Sequence, residues 1–186
     1  DLASPQFSLF GFAELLSSKA SKSGSRLLLP SINEPLNLLG TAFDRAARNR
    51  LQTRFLARLC TEWVRTKAEV RHARGTIPQG AMLLRSEAAD THLAVFGSVS
   101  LTTEGLGVTP GNEMAMVQAT ETNAEAASLK SWFDAQWNQL GSAPAGSTQL
   151  LAQLEEIATL RTPESLYAQI LQHLFPSPDD QLDEEA

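Results

Sequence analysis

The chain has 186 residues, 42% of them hydrophobic, enough for one folded domain plus a tail that together bury roughly 70% of the unfolded surface. A single cysteine, Cys60, excludes an internal disulfide and suits a reducing cytoplasm, while His72, His92 and His173 lie too far apart for a zinc site. No run of about eighteen apolar residues is present to cross a membrane, and neither a metal nor a cofactor is expected.

The net charge of −6 argues against a generic nucleic-acid binder, but it averages over a split chain. Basic residues crowd the stretch from Arg45 to Arg74, and acidic ones crowd the end, from Glu155 and Glu156 to Glu185. Such asymmetry points to separate surfaces rather than one uniform field. Beginning at Asp rather than Met, the chain reads as a piece of a longer protein.

In chain order, Ser4 to Phe10 reads as the end of a strand. Gly11 to Leu16 reads as the helix after it, with Phe12, Leu15 and Leu16 at helical spacing. A polar loop, Ser17 to Ser25, leads to a short buried strand, Leu27 to Leu29, stopped by Pro30. Ser31 to Leu39 is expected to be irregular. A long helix is then predicted from Asn49 to Lys67. At 100° per residue, Phe55, Leu56, Leu59, Cys60, Trp63 and Val64 share one side, to pack on a sheet. Arg50, Arg54, Arg58 and Arg65 share the other. Ala68 to His72 is the next strand.

Ala81 to Leu84 and Leu93 to Phe96 read as a hairpin turning through Ser86 to Asp90. Gly105, Gly107, Pro110 and Gly111 mark a loop, and Asn112 to Gln118 the last strand. Thr122 and Glu125 have capping-box spacing. They open a helix with Leu129, Trp132, Phe133, Trp137 and Leu140 at core spacing. Gly141 to Gly146 reads as a hinge before two helices, about Thr148 to Leu160 and Pro163 to Leu174. The pattern predicts an α/β layered domain over residues 1–141, a mixed β-sheet flanked by helices. A C-terminal helical appendage covers 142–175, and an acidic, disordered linker covers 176–186.

Chemistry concentrates where the run Leu93 to Phe96 ends at Gly97 and Ser98. Hydroxyl residues fill the following turn, and Glu113 stands before the apolar run Met114 to Val117. A strand that delivers hydroxyls and backbone N–H groups to its end builds an anion pocket. Ordinary turn chemistry accounts equally for Ser98, Ser100, Thr102 and Asn112, since such side chains bond nearby backbone.

The segment Phe96-Gly-Ser-Val-Ser-Leu-Thr102 resembles the second motif of the phospholipase D superfamily, roughly Gly-Ser-x-Asn-Leu-Thr with a downstream Glu. Three further segments resemble the phospholipase D-like region that precedes the motor of bacterial Swi/Snf-type helicases, some of them in anti-phage defence loci. These are Phe7-Ser-Leu-Phe-Gly-Phe12, Trp132-Phe-Asp-Ala-Gln-Trp137 and Thr162-Pro-Glu-Ser-Leu-Tyr-Ala-Gln-Ile-Leu171. In active members of the superfamily a His attacks phosphorus, and a Lys and an Asn hold the phosphate oxygens. Carried over by position, the resemblance puts Gln79 in the His seat, Ala81 in the Lys seat and Ser100 in the Asn seat. Ser98 and Glu113 match the family.

An amide has no basic lone pair at neutral pH, so Gln79 is no nucleophile. Ala81 supplies no cation for developing charge. Loss of the nucleophile alone costs about 10⁴-fold or more in rate. Glu113 is then expected to accept hydrogen bonds from Gln79 or nearby backbone. His72-Ala-Arg74 also has His-x-basic form, but it precedes Ile77-Pro78 and reads as a strand-end His beside surface arginines.

The resemblance therefore implies a cytoplasmic pseudo-phosphodiesterase, an accessory domain joined to the helicase motor of the same polypeptide. It would bind DNA or a partner subunit through Arg50, Arg54, Arg58 and Arg65, or pair as a homodimer. The bland reading of that arginine face is a solvated helix surface. Two other functions stay open: an active phosphodiesterase or nuclease using His72 or another chain's His, and a purely structural interaction scaffold.

Overall fold

Leu27, Leu28 and Leu29 belong to a strand buried on both faces, which is why they form an uninterrupted apolar run. In the structure, a computed structural model, this strand is β2 (Ser25–Leu29). The structure describes residues 1–17, 24–41, 44, 52–86, 91–140, 144–159 and 167. β2 runs parallel to β1 (Leu2–Ala3) on one side and to β3 (Ala68–His72) on the other, with Leu27 opposite both Leu2 and Val70. Parallel neighbours need crossovers. Helix α1 (Leu9–Ser17) lies in the first and α2 (Thr53–Lys67) in the second.

β4 (Gly80–Ser86) then adds antiparallel to β1 and forms a seven-pair hairpin with β5 (Thr91–Gly97). β6 (Val117–Ala119) completes a mixed six-stranded sheet in the order β3-β2-β1-β4-β5-β6. The α/β layered fold with a mixed, helix-flanked sheet is thus present.

The two faces of the sheet carry two cores. On one, α1 and α2 pack Phe12, Leu56, Cys60, Trp63 and Val64 onto Leu27, Leu29 and Val70. On the other lies α3 (Asn123–Gln139), started by the expected capping box between Thr122 and Glu125. Its Phe133 and Trp137 close over Ala3, Leu28 and Ala81. Arg26 projects from β2 beneath this helix, with its guanidinium carbon 5.0 Å from the Phe133 ring centre and 5.5 Å from that of Trp137. It bonds the side-chain carboxylates of Asp1 at 2.6 and 2.7 Å and of Asp134 at 2.8 Å.

The last described helix corrects the expected domain boundary. α4 (Pro144–Thr159) is no appendage after residue 141. Its Leu150, Leu154 and Ile157 are fully buried in the same core as Phe12 and Trp63. That 4-then-3 spacing gives an apolar stripe. Gly146 lets the helix close on β3, since an added Cβ would come 2.6 Å from the Val70 carbonyl oxygen. Residues 144–146 are helical rather than hinge. The second predicted helix apart from Tyr167, the linker 176–186, the turn residues 87–90 and the start of the long helix before residue 52 lie outside the described residues.

Smaller differences have local causes. The first strand is Leu2–Ala3, and Phe7 makes only an isolated bridge to Leu101. Pro35–Leu39 is a 3₁₀ helix that buries Leu38. The last strand covers only Val117–Ala119, because Asn112 turns the chain: its side chain accepts from Met114 N–H at 2.9 Å and its carbonyl from Ala115 N–H at 2.9 Å. Phe55 and Trp132 are exposed rather than core, because at 100° per residue each lies well over a quarter-turn round its helix from the centre of the buried stripe.

Candidate functional site

Gly80 and Gly97 form the last pair of the β4–β5 hairpin, so Gln79 and Ser98 are the next positions outward on facing strands. Both lie just past the ends of the paired strands, and Ala81 is the second residue of β4. An added Cβ at Gly80 would stand 1.7 Å from the Val99 carbonyl oxygen and 3.3 Å from Pro5 Cδ. Gly97 has φ +115, a conformation that favours glycine. These two glycines let the chain turn tightly under the end of the sheet.

Beyond the turn, residues 98–103 thread against the loop that follows β1. Leu101 N–H donates to the Ser4 hydroxyl oxygen at 2.8 Å and to the Gln6 carbonyl at 3.2 Å, and Ser8 N–H donates to the Leu101 carbonyl at 2.8 Å. Gly11 is required where α1 crosses this segment, since its Cβ would lie 2.3 Å from the Leu101 oxygen. The Phe-Gly-Phe and Gly-Ser segments are therefore one packed junction.

The hydroxyls of that junction are committed to the protein itself. The Ser98 hydroxyl oxygen accepts from Met116 N–H at 3.3 Å. Ser100 and Thr102 are buried and bonded to each other at 2.8 Å, and Thr102 also accepts from Gly105 N–H at 3.0 Å. Of the positions predicted to form the pocket, the structure brings Ser100 beside Thr102; Gln79 and Ser98 each flank the last paired residues at one end of the hairpin. Asn112 and Glu113 stay exposed on the outer loop. No hydrogen bond between Gln79 and Glu113 occurs among the described residues. Ala81 is 3% exposed and packs against Phe133 and Trp137, leaving its seat filled by core.

One residue at this end was missed. Asp44 is 1% exposed. Its carboxylate accepts from Thr41 N–H at 2.8 Å and from the Thr103 hydroxyl, which in turn accepts from the Thr109 hydroxyl at 3.1 Å. A buried carboxylate is tolerated when hydrogen-bonded, and this one ties the loop after β2 to the loop after β5. The signal was present in Thr41-Ala-Phe-Asp44, which has the spacing of a capping box. Beside it lies a cavity of about 330 Å³ bordered by Gln6, Ser8, Asn37, Thr41 and Thr102. It lies at the carboxyl ends of β1 and β2, where open α/β sheets place ligands. Its polar lining is neutral.

Two of the three described arginines of the predicted face bond within the molecule. Arg54 Nε donates to the Ala158 carbonyl at 3.2 Å, and Arg65 pairs with Glu155. Arg58 is exposed beside a hollow of about 320 Å³ that also touches Arg65, Glu62 and Glu155; Arg50 lies outside the described residues. Sequence reasoning assigned Glu155 to the acidic end and so did not bring it to this helix. His72 is held by two main-chain oxygens, with Nδ1 3.0 Å from the Pro30 carbonyl and Nε2 3.1 Å from that of Gly146. It lies four strands from β5, roughly 19 Å at ordinary strand spacing.

Among the described residues no cluster of His, Cys, Asp or Glu could hold a metal ion, and no helix is long and apolar enough to cross a membrane. No family model, curated protein or solved structure matches this chain.

Proposed function

We propose that this chain is a catalytically inactive phospholipase D-like accessory domain of a larger, cytoplasmic helicase-type protein of anti-phage defence, working by contact with a partner subunit or DNA. The observation that supports this reading is that Gln79 and Ser98 flank one end of the β4–β5 hairpin, with Ala81 buried in β4. An amide and a methyl group stand where the resemblance requires an attacking imidazole and an ammonium. Partner contact is favoured over DNA tracking, because Arg54 and Arg65 already bond to α4. The DNA version rests on Arg58 and Arg50.

The test is fluorescence anisotropy of the full chain with labelled duplex and single-stranded DNA at low salt, beside a metal-free bis-p-nitrophenyl phosphate assay. No hydrolysis above blank is expected, with His72→Ala indistinguishable from the parent. DNA binding that disappears in Arg50→Ala/Arg58→Ala supports the DNA version, and absence of binding leaves the partner version. Hydrolysis lost in His72→Ala overturns the inactive reading.

A further inference from the structure

The two edges of the sheet are treated differently. At the β3 edge, α4 lies close, and the Ser147 hydroxyl accepts the Val70 N–H at 3.2 Å. At the opposite edge no described element covers β6. Its register with β5 and the flanking bonds Ser98 N–H to Met116 O and Thr120 N–H to Ala94 O, both 2.8 Å, direct the main-chain groups of Met116, Gln118 and Thr120 inward. In an antiparallel ladder the alternate residues face away. Val117 and Ala119 therefore turn their N–H and C=O groups outward, and no bond to these groups occurs among the described residues.

Exposed edges are ordinarily blunted by short length, charge, proline or a bulge, and β6 has only its three-residue length. Met114 to Thr120 has no charged residue and no proline. Met114 is 84% exposed, Met116 81% and Val117 57%. By register Val117 shares a sheet face with Leu93 and Leu84, both also exposed, while α3 covers β4 and β5 on the other face. A short but uncharged and uncovered edge with pliable methionines beside it has the features of a strand-addition surface.

The flanking charges select the occupant. Glu113 and Glu121 bracket the segment; both are exposed, and neither carboxylate has an ion pair among the described residues. A second copy pairing antiparallel on this edge brings the acidic flanks of one strand, Glu113 and Glu121, towards those of the other, and like charges gathered along a sheet edge disfavour pairing. We infer that the outer edge of β6 docks an extended segment of a partner protein that is uncharged in its centre and carries Lys or Arg at both ends. This inference does not depend on the phosphodiesterase resemblance.

The experiment uses the full chain and two labelled synthetic peptides, Lys-Lys-Thr-Val-Thr-Val-Thr-Lys-Lys and the same sequence with Glu at its ends, read by fluorescence anisotropy at low salt. The basic peptide is expected to bind at least tenfold tighter than the acidic one. Glu113→Lys/Glu121→Lys is expected to reverse that preference. Ala119→Pro removes an outward N–H while sparing the bonds to β5, and is expected to abolish binding with the circular dichroism spectrum unchanged. Failure of both peptides to bind, equal binding of the two, binding indifferent to the charge reversal, or dimerisation of the chain through this edge in sedimentation would each overturn the proposal.

Discussion

Arg71 lies over Trp137, with its guanidinium carbon 4.2 Å from the ring centre and Nη1 donating to the Trp137 carbonyl at 2.6 Å. Glu69, on the same strand face, accepts from Nε at 3.1 Å and from Nη2 at 2.9 Å, so the fork is held in the plane that stacking requires. One side chain thus joins β3 to the C-terminal turn of α3. Arg71→Ala should lower stability by about 1–2 kcal/mol, the range for a desolvated cation–π contact. Arg71→Lys should recover little of it, because an ammonium neither stacks nor forks. Trp137→Ala should cost about 3–5 kcal/mol as a large buried ring is lost. Urea unfolding of the three variants checks the order.

The Asp134 carboxyl gives the fold an acid-sensitive contact. Burial alone would raise it, but hydrogen bonds from Lys130 and Arg26, and the charges of both, hold it below the usual carboxylate range. A group depressed in the folded state adds stability above its unfolded value, near pH 4, and that contribution is lost as pH falls through the folded value. Asp134→Asn should therefore melt below the parent at pH 7, and the gap should close progressively under pH 4. Thermal melts across pH 2–7 at low salt measure this; a gap independent of pH would show that the contact is not electrostatic.

Much of this architecture was legible because local signals agreed with one another. The Thr122–Glu125 capping box, the Leu27–Leu29 run before Pro30 and the glycines at the end of the hairpin each have one cheap solution. The signals that misled were those whose outcome depends on distant chain. α4 reads as an appendage because its amphipathic stripe names no partner, and Arg65 reads as free because Glu155 is remote in sequence. At the site, the position of Gln79 and Ser98 at one end of the hairpin followed from its register. The burial of Ser100 and Thr102 did not, since it depends on Gly11 and Gly105 admitting backbone where a side chain would clash.

Restoring the seats at 79 and 81 tests how far the site is closed. Gln79 is exposed, so Gln79→His should change stability by no more than about 0.5 kcal/mol. Ala81 faces Phe133 and Trp137, so Ala81→Lys forces a charged chain into filled core and should cost about 3 kcal/mol or more. The double variant should gain no phosphodiesterase activity. Denaturant midpoints for the two singles and turnover for the double provide the measurements.

Cys60 reports on the core without perturbing it. Burial pushes its thiol far up, and the nucleophile in disulfide exchange is the thiolate. Ellman's reagent should leave the native chain unlabelled at pH 8. Labelling should rise with urea along the same curve as the loss of circular dichroism. Fast labelling in the absence of urea would mean that α2 opens locally.

The sharpest test of a single folding unit is Leu154, fully buried on α4 beside residues from α1 and α2. Leu154→Ala should destabilise by about 2–5 kcal/mol. Because α4 fills the core that Leu27, Leu29 and Val70 roof, the loss should move the whole transition. Far-ultraviolet circular dichroism and tryptophan fluorescence should then shift to the same lower urea midpoint with an unchanged slope. Two separated transitions, one early and confined to helix signal, would instead divide α4 from the sheet and restore a boundary near residue 141.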